Sequence, residues 1–109
     1  MSKLSKSPLQ VMRKAQEVGN KVLPPYRHKY SPKFYTQAQL FACLVLKSFL
    51  RTDYRGVEQI LKDAPSLCQA INLRRVPHFT TLQKSEKQLL EYKQVKRMME
   101  ETIFFGARS

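Results

Sequence analysis

The chain contains no tryptophan, three glycines, two cysteines and eight acidic residues among 109. Gly19, Gly56 and Gly106 stand alone, so no glycine-rich loop is available to cradle a phosphate. Cys43 and Cys68 have no CxxC spacing, which excludes a zinc knuckle or a disulfide framework and fits a reducing, cytoplasmic compartment. Asp53, Asp63 and six glutamates fall mostly on outward helix faces, and no His/Cys cluster suggests a metal. His28 and His78 lie in proline-bounded loops without the partner groups that catalysis requires. A bilayer span needs about 20 apolar residues, and a signal peptide an apolar h-region of about 7–15; neither is present. No membrane association, cofactor or catalytic centre is therefore expected.

What the chain has in excess is positive charge. Lys plus Arg number 20, giving a formal net charge of +12 and a pI near 10.1. Residues 1–35 carry eight Lys/Arg and one acid, residues 36–73 four and three, and residues 74–109 eight and four. A nearly neutral middle with basic flanks suits a partner made of phosphates, above all double-stranded DNA.

That middle centres on Gln39–Leu50, apolar without interruption from Leu40 to Leu46. A helix apolar nearly all round belongs in a core. Thr36 with Gln39 writes a capping box at its start. Upstream, Ser7 and Pro8 open an amphipathic helix that Gly19-Asn20 is expected to stop. Leu23–Tyr35 is a proline-rich linker in which Tyr26, Tyr30, Phe34 and Tyr35 alternate with Arg27, Lys29 and Lys33. Those three cations form a looser candidate phosphate-contacting group. Phe34 and Tyr35 have a second reading, as a staple onto the central helix.

Beyond it, Thr52 or Asp53 caps a helix with Tyr54, Val57, Ile60 and Leu61 on one face, and Glu58 and Lys62 form a surface i,i+4 pair. Ala64-Pro65 breaks that helix, and a short one follows over 66–71. Thr80 with Gln83 predicts a further capping box, opening a long helix whose seam is Leu82, Leu89, Tyr92, Met99 and Ile103. A short helix, a link through Pro77 and a capped helix make a helix-turn-helix-like order. There the start of the second helix enters the major groove. Arg74, Arg75, Thr80, Thr81, Gln83, Lys84 and Lys87 are the candidate DNA-binding residues. Helix amides and threonine hydroxyls can meet phosphates, Gln an adenine edge and Lys a guanine. Leu82 faces inward as the anchor. The competing reading is a plain capped bundle helix with a solvated basic face.

Three runs together, Tyr35–Lys47, Thr52–Leu61 with its Tyr54-Arg55, and Val76–Lys84 with Pro77, Thr80, Thr81 and Leu82, resemble the N-terminal region of bacterial and archaeal insertion-sequence transposases of the DDE type. The resemblance covers roughly residues 30–92. It implies binding to the element's terminal inverted repeats during DNA transposition. In that family a following RNase H-like domain holds three carboxylates and two divalent metal ions (Mg2+); none of the acids here matches those positions. The resemblance thus carries DNA binding and not catalysis. The expected organisation is all-α with four to five helices and a helix-turn-helix-like element. A basic N-terminal helix and linker occupies 1–35, a helical DNA-binding domain 36–103, and a truncated tail 104–109. A rival expectation is an interaction module, pairing through the 82–103 seam with a second copy or with full-length transposase and so inhibiting it.

Overall fold

The computed structural model describes residues 7–26 and 34–92. They form five helices: α1 (Pro8–Val22), α2 (Gln37–Phe49), α3 (Tyr54–Asp63), α4 (Pro65–Ala70) and α5 (Phe79–Leu89), with no strand among the described residues. The all-α expectation holds. No helix among the described residues is long and apolar enough to cross a membrane. Arg27, Lys29 and Lys33, together with the seam residues beyond Tyr92, lie outside the described residues.

α2 is the axis. Its capping box forms in full: Thr36 Oγ1 accepts the Gln39 N–H at 3.1 Å, and Gln39 Oε1 accepts the Thr36 N–H at 2.9 Å. Phe41 through Leu46 are consecutively buried because α1, α3 and α5 each pack against α2. Burying one such large apolar side chain contributes roughly 1.5–3 kcal/mol. The N-terminus of α2 is pinned by Gln37, whose backbone N–H and side-chain amide donate to the carbonyls of Pro25 and Pro24, each at 2.8 Å. This is where the extended proline segment is held.

Two expectations for the N-terminal part change. Gly19 does not stop α1, which runs on to Val22. The residue is glycine because the helices meet there: a Cβ on Gly19 would lie 3.1 Å from the Ala38 Cα and Cβ. Nor does α1 stand apart as a basic arm, since Val11, Met12 and Ala15 are fully buried in the common core.

α2 and α4 end alike. Arg51 (φ 55°) and Asn72 (φ 56°) take the left-handed position that follows a helix. Thr52 N–H donates to Lys47 O and Arg51 N–H to Ser48 O; Leu73 N–H donates to Cys68 O and Asn72 N–H to Gln69 O. These are paired Schellman bonds, and they turn the chain sharply. The carbonyl of Ile71 at the end of α4 accepts from Gln16 of α1 and Gln39 of α2, both at 3.0 Å. Two glutamines thus fasten α4 to the helices beneath it.

Candidate nucleic-acid interface

α5 is held by α3 through contacts from Tyr54, Arg55 and Glu58. The Tyr54 hydroxyl donates to Glu86 Oε1. The Arg55 guanidinium lies 4.5 Å from the centroid of the Phe79 ring. Glu58 Oε1 accepts the Phe79 N–H at 3.0 Å, while Oε2 pairs with Lys62 Nζ at 2.8 Å. The Glu58–Lys62 pair expected from the sequence forms, but Glu58 is only 9% exposed and does more than decorate a surface. The hydrogen bond from Lys62, helped by the Phe79 N–H, lowers the Glu58 pKa. The bond to Glu86, with some burial, pushes the Tyr54 hydroxyl up to about 12.

This bracing explains why the expected Thr80–Gln83 box does not form. With Glu58 accepting its amide, Phe79 is already helical, and the cap moves back to His78. His78 Nδ1 accepts the Thr80 N–H at 3.3 Å and lies 2.8 Å from Thr80 Oγ1. Two of the first amides of α5 therefore already have partners, and the expected role of those amides as a phosphate site is reduced accordingly.

The side chains of α5 sort cleanly. Leu82, Ser85 and Leu89 are buried, Leu82 serving as the anchor expected of it. At 3.6 residues per turn, Thr80, Gln83, Lys84 and Lys87 fall together on the opposite side, and all four are exposed. Thr81 is half-buried at the margin of that face. Lys84 and Lys87 make no salt bridge or hydrogen bond among the described residues.

Arg74 and Arg75 are exposed but go elsewhere. Arg75 lies 4.7 Å from the centroid of the Phe34 ring, with its charge beside the Tyr35 hydroxyl near the start of α2. Arg74 lines a cavity of about 400 Å³ with Leu61, Lys62 and Cys68. The Schellman turn at Asn72 sets this course, so the two arginines do not join the α5 face as expected. Of the two possible staple residues, Tyr35 packs against the core, whereas Phe34 is 64% exposed beneath Arg75.

The helix-turn-helix pairing also differs. α4 packs chiefly on α1 and α3, while α5 packs on α2 and α3. The link from Ile71 to His78 exceeds the 3–4-residue turn of that motif. Support for α5 comes from α3, one helix earlier than expected. The long 80–103 helix is not continuous either: α5 ends at Leu89, with tight turns through Glu91 and Tyr92. These bring the Tyr92 hydroxyl within 3.4 Å of Gln37 Nε2.

Among the described residues, no group of three His, Cys, Asp or Glu side chains could hold a metal. Arg55, which the sequence offers only as half of the Tyr54-Arg55 motif, is brought to the edge of α5 by its contact with Phe79. Comparison with protein-family models, with curated proteins and with solved structures finds no match to this chain.

Proposed function

We propose that this chain is the DNA-binding N-terminal portion of an insertion-sequence transposase of the DDE type. It binds double-stranded DNA at the element's terminal inverted repeats through the outer face of α5. The observation that carries the reading is the shared exposure of Thr80, Gln83, Lys84 and Lys87 on a helix braced from behind by Tyr54, Arg55 and Glu58. A net charge of +12 supports a polyanionic partner. Gln83 supplies the pair of hydrogen bonds that reads adenine, and Lys84 and Lys87 meet guanine or phosphate. Strand transfer is not assigned to these residues. Asp53 caps α3, Glu58 accepts the Phe79 N–H at the start of α5, and Glu86 is bonded to Tyr54.

Selecting binding sites from a random duplex pool tests the reading. The wild-type chain is expected to enrich a defined site. Gln83→Ala should lose about 1–3 kcal/mol of discrimination at one position. Lys87→Ala should weaken all sequences alike. No enrichment and no complex at low salt would overturn it. The second reading is an interaction module that pairs with another copy or with full-length transposase. Leu90, exposed at 49%, favours it. Leu82 and Leu89 count against it, because the chain's own core already buries them.

A further inference from the structure

Lys21 and Lys62 neutralise a glutamate on their own helix. Two others do not. Arg55 of α3 and Lys47 of α2 form no salt bridge and no hydrogen bond among the described residues. Each is instead mounted on an aromatic ring, Arg55 over Phe79 at 4.5 Å and Lys47 over Tyr54 at 4.7 Å. A guanidinium held over a ring still has N–H donors to offer another partner. Such stacking fixes the cation without consuming those donors.

Both mounts sit on one flank of α5. Phe79 belongs to α5, and Tyr54 is bonded to Glu86, seven residues further along. At 1.5 Å per residue the two points are about 10 Å apart along the axis. On the helical wheel this flank lies next to Gln83, at the edge of the outward face. A helix seated in a major groove about 12 Å wide carries its flanks against the sugar–phosphate walls. About 10 Å corresponds to roughly three nucleotides of one strand at 3.4 Å each.

We infer that Arg55 and Lys47 grip the phosphate backbone of one DNA strand along the α3 side of α5, with Phe79 and Tyr54 as their mounts. The inference rests on the duplex-DNA reading above and adds to it a second wall of contacts outside α5. Arg55 is the stronger contact, because the Glu86 carboxylate beneath Tyr54 offsets part of the Lys47 field.

The test is the salt dependence of binding by the full chain to a labelled mixed-sequence duplex of about three helical turns (about 30 base pairs), read by fluorescence anisotropy. Arg55→Gln and Lys47→Gln remove the charge and leave a polar, uncharged side chain, and circular dichroism verifies that both fold. Each neutralised phosphate contributes about 0.9 to the slope of log K against log salt. Arg55→Gln should lower the slope by about that amount, Lys47→Gln by less, and the double variant by about their sum. Arg13→Gln, on the exposed side of α1, should leave it unchanged. An unaltered slope for Arg55→Gln, or an equal fall for Arg13→Gln, overturns the inference and leaves DNA binding standing. If the wild-type chain forms no complex at about 50 mM salt, the DNA reading falls and the inference falls with it.

Discussion

Replacing Glu58 with glutamine isolates what one carboxylate does for α5. In the wild-type chain its two oxygens have separate tasks, Oε1 on the Phe79 N–H and Oε2 on Lys62 Nζ. Glutamine keeps a carbonyl for Phe79 and loses the charge. The half-exposed Lys62 pair is worth at most about 1 kcal/mol, and a negative charge at the start of a helix about 0.3–1 kcal/mol. The expected loss is therefore about 0.5–2 kcal/mol in urea unfolding followed by circular dichroism. Glu58→Ala also strands a half-buried amide and should cost about 1–3 kcal/mol more. The pH dependence follows from the direction of the shift. Lys62 and then Phe79 lower the pKa of Glu58 in the folded state. Its stabilisation is thus present above the unfolded carboxyl value of about 4.3 and is lost as pH falls through the lower folded value. The gap between wild type and Glu58→Gln should be full at neutral pH and close in acid. Equal stability at neutral pH, or a gap that persists at the acid end, would refute the reasoning.

Three further outcomes are expected. Gln39→Ala removes an acceptor for Thr36 and donors to Ile71 and Asn72; at about 1 kcal/mol for each net hydrogen bond, a loss of about 2–3 kcal/mol should appear in urea melts. Gly19→Ala gains about 1 kcal/mol of helix propensity but presses on the Ala38 backbone of α2. Overpacking of about 1–3 kcal/mol should win, and a melting temperature equal to or above wild type would contradict this. Cys43 is fully buried, and burial pushes its thiol up to about 12. In a thiol-reagent titration Cys68, only half-buried, should react first and Cys43 only on unfolding.

The features legible in the sequence are those settled within one helical turn. Ser7, Thr36 with Gln39, and Asp53 cap the helices they precede, and Asn72 ends α4. The uninterrupted apolar run likewise announced a helix enclosed on every side. Where the reading failed, the deciding partner was distant in the chain. Gly19 looks like a terminator until Ala38 is found against it. Glu58 looks like half of a surface pair until the amide of Phe79, 21 residues on, arrives at its other oxygen. The outward face of α5 was legible because helical geometry fixes it. The direction of Arg74 and Arg75 was not, because it depends on where Phe34 and Tyr35 come to rest.

The same non-local contacts bear on how α5 could meet DNA. A bare helix start attracts phosphate through its free amides and its dipole. Here the Phe79 amide is given to Glu58 and the Thr80 amide to His78, and the Glu58 charge opposes an anion at that end. In the proposed complex, phosphate is then met chiefly by side chains, among them Lys84 and Lys87 on the face and Arg55 beside it. The arrangement separates two tasks that a bare helix end would combine. Glu58 and His78 fix the start of α5, and under the DNA-binding proposal the exposed side chains remain to make the contacts. Removing Glu58 should therefore loosen the helix while reducing the local repulsion toward phosphate. Stability and non-specific affinity would then move in opposite directions in Glu58→Gln, which a uniformly basic surface has no reason to produce.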